Sequence, residues 1–81
     1  MEEKIHGDID AEGIEVVLRD GQYFVRYDAG AHQIIWREDE ITEADLDRIR
    51  QGEEAEYLML IELQKHLERS GKNPYVSNWK R

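Results

Sequence analysis

Between Ile14 and Trp36, apolar and polar residues alternate on both sides of Asp20-Gly21. Asp-Gly between alternating apolar runs is a strong hairpin signal, because both positions of a two-residue type I′ loop need positive φ. Counting outward from that loop pairs Arg19 with Gln22, Leu18 with Tyr23, Val17 with Phe24, Val16 with Val25, Glu15 with Arg26 and Ile14 with Tyr27. Side chains alternate along a strand, so Ile14, Val16, Leu18, Tyr23, Val25 and Tyr27 share a first face. Val17 and Phe24 fall on a second face among charged and polar neighbours, and Glu15 directly meets Arg26.

A second turn is expected in Asp28-Ala29-Gly30-Ala31. An even loop there opposes Tyr27 to His32, Val25 to Ile34, Phe24 to Ile35 and Tyr23 to Trp36, whereas an odd loop reverses the faces. The even register is preferred, because it adds Ile34 and Trp36 to the face already richest in apolar residues. Ile35 then joins Val17 and Phe24 on the second face.

After Arg37 the periodicity becomes helical. Thr42 reads as an N-cap, with Asp45 three residues on and Ile41 and Leu46 spaced as a hydrophobic staple. Ala44 to Arg50 is then a short helix burying Leu46 and Ile49, with Gly52 suited to the left-handed position that ends it. A second helix is expected from Glu53 to Arg69, stopped by Ser70-Gly71. Met59, Leu60, Leu63 and Leu67 make an ordinary core-facing stripe of about 100° on it. Tyr57 and Ile61 widen that stripe to roughly 200°, and Leu58 lies outside it. A helix apolar over so much of its surface is either wedged between two layers or shared with another chain.

Gly71 and Pro74 oppose further helix, yet the remainder holds Tyr75, Val76 and Trp79, a large apolar load for a free tail. The expectation is that this tail folds back over Val17, Phe24 and Ile35, or docks on the same region of a neighbouring chain. The fold class is therefore α+β: an antiparallel three-stranded meander (14–37) followed by a short helix (42–51) and a long one (53–70) on one sheet face, with an aromatic C-terminal tail (71–81). Residues 1–13 read as a polar, mobile lead-in able to add a short edge strand around Ile5 to Ile9. Together they make a single small domain.

Composition narrows the functional classes. A chain of 81 residues and 9.6 kDa buries little apolar surface unless its core is efficient or an oligomer adds to it. With no cysteine, disulfides cannot help, and a cytoplasmic home is the simplest expectation. No segment approaches the roughly 18 apolar residues of a membrane span, and the acidic start lacks a signal-peptide pattern.

The net charge of −8 is uneven. Residues 1–37 hold eight acids and four bases, residues 38–56 nine and two, and residues 57–81 two and five. The acidic pole comprises Glu38, Asp39, Glu40, Glu43, Asp45 and Asp47 with Glu53, Glu54 and Glu56. Such a run either solvates a surface and favours a helix N-terminus or faces a basic partner, and its field repels phosphate backbones.

Catalytic and metal chemistry find little support. Gly7 to Gly13 has acids and a glycine spaced like the start of an EF-hand loop, but Arg19 stands where the closing glutamate belongs. His6, His32 and His66 lack the spacing of a zinc site, and Ser70 and Ser77 lack the context of an activated nucleophile. No catalytic residue, metal ligand, cofactor or small-molecule substrate is indicated. The expected function is that of a non-enzymatic protein-interaction or regulatory module, with a second copy of the chain among the possible partners. Val17, Phe24, Ile35, Leu58, Ile61, Tyr75 and Trp79 are its candidate contacts. One alternative is an inhibitor or antitoxin-like protein that sets the acidic pole against a basic, nucleic-acid-handling partner. The other, disfavoured by the charge, binds single strands through Phe24, Arg26 and Arg37 on the sheet.

Overall fold

Asp20 and Gly21 adopt φ values of 53° and 79°, and the hairpin they close pairs every residue as counted, from Arg19 opposite Gln22 to Ile14 opposite Tyr27. The computed structural model describes residues 1–30 and 32–81. Strands β1 (Glu2–Asp8), β2 (Ile14–Arg19), β3 (Gln22–Asp28) and β4 (Trp36–Ile41) form an antiparallel sheet in the order β1-β2-β3-β4. The helices are α1 (Ile9–Glu12), α2 (Glu43–Ile49) and α3 (Glu53–Arg69). The class is α+β as expected, but the sheet has four strands rather than three.

The added strand is the polar lead-in, which is ordered. Charged side chains suit an edge strand, where they discourage pairing with another chain. A register shift between Lys4 and His6 lets β1 keep pairing while Ile5 packs against the core. Gly7 is required for its φ of 74°, and a Cβ there would lie 2.5 Å from the Ile14 carbonyl oxygen. The carboxylates of the EF-hand-like stretch serve the backbone instead: the Asp10 amide donates to Asp8, the Asp8 amide to Glu12, and the Ile9 amide to Glu15.

The second turn is the main correction. Tyr27 opposes Arg37 rather than His32, Val25 opposes Asp39, Phe24 opposes Glu40 and Tyr23 opposes Ile41. The connection runs over 29–35, with Ala31 outside the described residues. It is odd in length, so Trp36 lies on the second face. Asp28 organises it: one carboxylate oxygen accepts from the Gly30 and Ile35 amides, each at 2.9 Å, and the Ala29 amide donates to the Ile35 carbonyl. An Asx interaction thus closes a wide loop where a tight one was expected. Ile35 packs against the first-face core rather than beside Phe24.

Helices α2 and α3 follow the sequence closely, whereas the single turn α1 in the lead-in was not expected. Thr42 and Asp45 form a reciprocal capping box, and α3 spans the expected residues. Gly52 departs from expectation: at φ 132° and ψ 178° it is extended beyond the left-handed well and serves as the N-cap of α3. Ile14, Val16, Val25, Tyr27 and Ile41 on the first face pack with Leu46, Ile49 and Met59 from the helices to form the core.

Candidate interaction surface

The second sheet face is covered by charge rather than by aliphatic packing. Its centre is Arg26 on β3, whose guanidinium donates to Glu2 (2.6 Å), Glu38 (2.7 Å) and Glu15 (3.2 Å). Arg19 bridges Glu38 and Glu2 and stacks over Phe24, 4.2 Å from the ring centroid. Burial alone would lower the Arg26 pKa, but hydrogen bonds to the three carboxylates outweigh it and raise the value. For Glu38, burial alone would raise the pKa, and bonds from Arg19 and Arg26 hold it below the ordinary carboxylate range. Val17, a candidate contact on this face, is 1 % exposed and out of reach of any partner.

The C-terminal tail docks on its own chain. Arg37 holds it from the first-face side, pairing with Asp39 and donating to the Val76 carbonyl at 2.6 Å. The Tyr27 hydroxyl donates to the same Asp39 at 2.7 Å, and burial, reinforced by that bond, pushes its pKa well up. Asn78 acts as a substitute strand neighbour for β4: its side chain accepts from the Glu38 amide and donates to the Glu38 carbonyl. Trp79 then lies over the Arg26 guanidinium, 4.6 Å away, and edge-on to Trp36. Arg81 covers the Trp36 ring and contacts Asp10. The expected fold-back is thus present, but its targets are Arg26, Trp36 and the β4 edge. Tyr75 stays exposed, and Pro74 is the tail's fully buried anchor.

The acidic pole divides into three groups. Glu38 and Asp39 are committed to arginines, and the Asp45 carboxylate accepts from the Thr42 amide in the α2 capping box. Glu56 is half-buried; its burial, with Glu12 and Glu53 nearby, raises its pKa against the opposing effect of His6. Glu40, Glu43, Asp47, Glu53 and Glu54 face solvent. The residues of the single-strand reading are also engaged: Phe24 lies beneath Arg19, Arg26 is bound to carboxylates, and Arg37 lies on the opposite face.

Ile34, expected on the first face, is exposed in the connection before β4, and Tyr75 and Val76 are exposed in the tail; on the outer side of α3, exposed apolar side chains share one helix. Met59 and Leu67 are buried and Leu60 and Leu63 pack on the core, whereas Tyr57 is 65 % and Leu58 47 % exposed, with Ile61 half-buried beside them. Leu58 and Ile61 are candidate contacts from the sequence, and Tyr57, which there only widens the stripe, joins them on the outward side once Met59, Leu63 and Leu67 fix the core face. A separate groove of about 520 Å³ lies between β4, α2 and α3, lined by Glu40, Asp45, His66 and Lys72 and by the paired Arg48 and Glu62. Among the described residues, no group of three or more His, Cys, Asp or Glu could hold a metal ion, and no helix is long and apolar enough to cross a membrane. Comparison with family models, curated proteins and solved structures gave no match.

Proposed function

We propose that the protein is a small non-enzymatic interaction module whose contact surface is the outer face of α3. The observation that carries this reading is the exposure of Tyr57 and Leu58 on a helix whose opposite face already fills the core. Apolar side chains of this size, clustered with Ile61 and bordered by Glu53 and Glu54, suit a protein surface that is apolar at its centre and polar at its rim. The tail offers exposed Tyr75 and Val76 but not Trp79, which is spent on Arg26. The acidic-inhibitor alternative is weakened by the loss of the Glu38, Asp39 and Asp45 carboxylates to internal roles.

The test compares proteins retained by the immobilised wild type and by Leu58→Asp and Ile61→Asp, with circular dichroism verifying the fold of each. Loss of a specifically retained protein, or of self-association, in both variants is the expected result. Identical retention and identical solution mass in all three would overturn the reading.

A further inference from the structure

The outer face of α3 has an internal order that narrows its partner. Glu54, Leu58, Ile61, Lys65 and Glu68 recur at intervals of four, three, four and three residues. That is the a/d spacing of a coiled-coil seam, and it lies on the side of the helix turned away from the core residues Met59, Leu63 and Leu67. Glu54, Lys65 and Glu68 are exposed, and none of them is ion-paired among the described residues.

The seam is self-complementary. If a second α3 is laid antiparallel so that Leu58 meets Ile61 of the other copy, Ile61 meets Leu58 in turn. The same register sets Glu54 against Lys65 and Lys65 against Glu54. A two-fold interface requires this reciprocity, in which residue i meets j and j meets i. A parallel arrangement would instead stack Glu54 on Glu54 and Lys65 on Lys65. The stretch from Glu54 to Lys65 holds three acids and one base, so two copies approach here against a residual negative charge that the reciprocal Glu54–Lys65 contacts must offset.

We propose that α3 pairs antiparallel with α3 of a second copy of this chain, through Leu58 and Ile61 at the centre and reciprocal Glu54–Lys65 ion pairs at the ends. This rests on the reading of α3 as the contact surface and names its occupant. From Glu54 to Lys65 the seam is about 16 Å long at 1.5 Å per residue. It is therefore at the small end of stable interfaces, and the dimer forms in a concentration-dependent way.

The experiment is sedimentation velocity over a concentration series near physiological salt, on wild type, Leu58→Asp, Glu54→Lys, Lys65→Glu and an equimolar mixture of the last two. Wild type is expected to move from 9.6 kDa toward twice that mass. Leu58→Asp is expected to weaken association at least about tenfold, because a carboxylate would replace the central apolar contact. Each charge reversal alone sets like charges together at both ends and weakens association. Their mixture makes both end pairs opposite again and restores a mixed dimer. A wild type that remains a monomer, or charge variants that associate like wild type and gain nothing on mixing, would overturn the pairing. The broader reading survives a monomeric wild type only if Leu58→Asp and Ile61→Asp still abolish retention of a foreign protein; if they do not, both fall.

Discussion

The two faces of the sheet are closed by different physics. On the first, Val16, Val25 and Tyr27 are buried under Leu46, Ile49 and Met59. On the second, Arg19 and Arg26 hold Glu2, Glu15 and Glu38, and aromatic rings lie over the guanidinium groups. Aliphatic burial is non-directional and nearly independent of salt. An ion network works only when each charge keeps its partner, and it weakens as salt rises wherever water reaches it. A four-stranded sheet with few helices thus stays covered on both sides, its second lid built from charges and a short tail instead of another helical layer.

The comparison can be broken hardest from the aliphatic side. Leu46→Ala leaves a cavity in the core and should cost about 3 kcal/mol, lowering the melting point by well over 10 °C at about 4–8 °C per kcal/mol for a chain of this size; a thermal melt followed by circular dichroism measures it. Arg26→Leu should cost about 2–3 kcal/mol, below the usual figure for breaking a buried pair because Arg19 and Glu2 are partly open to water. Denaturation at low and high salt should show this difference shrinking as salt rises, while that of Leu46→Ala holds. Trp79→Ala, which removes the ring over Arg26 and the contact with Trp36, should cost about 1–2 kcal/mol in the same assay.

Proton linkage gives the smallest effects, and they have opposite signs. Glu2 and Glu38 have depressed pKa values in the folded chain, through arginine hydrogen bonds that for Glu38 overcome burial. Their contribution is present above the ordinary glutamate value and is lost as pH falls through the lowered ones. Glu56, whose pKa is raised chiefly by burial, contributes in reverse: its stabilising effect belongs to the protonated form and fades as pH rises through the folded value. Glu56→Gln should therefore raise the melting point by a few degrees at neutral pH and lose that gain in acid, whereas Glu38→Gln should flatten the acid limb of the stability profile. Melts across a pH series separate the two.

How far these features could be read from the residues depended on whether a local signal fixed them. Asp20-Gly21 carries its own turn geometry, and Thr42 with Asp45 carries its own cap, so the hairpin and both longer helices followed from neighbours in sequence. The connection after Asp28 did not, because its length is set by a side chain substituting for backbone, and apolar residues such as Trp36 could satisfy either face. β1 was legible only in its second half, as an edge strand around Ile5 to Ile9, because Glu2 and Lys4 do not resemble half of a strand pattern until Arg19 and Arg26 are known to lie nearby. Of the surface, Leu58 and Ile61 were legible as surplus on a helix, and the pairing of Glu15 with Arg26 from the register. Val17 and Ile35 misled because a residue outside the main apolar face was taken to be uncovered, when charged neighbours or a wide loop had already closed over it.

The tail's path also affects the order of events in folding. Each strand pairs with its neighbour in sequence, so the sheet assembles through short loop closures. The strap instead joins Arg37 to Val76, Glu38 to Asn78 and Asp10 to Arg81, over separations of 39, 40 and 71 residues. Such distant contacts form late, after the surfaces they join exist. Their weight therefore falls on the rate of unfolding: in a chevron experiment, Trp79→Ala should steepen escape from the native state while leaving the refolding arm nearly unchanged. The last few residues then act as a latch on the lifetime of a fold that others have already built.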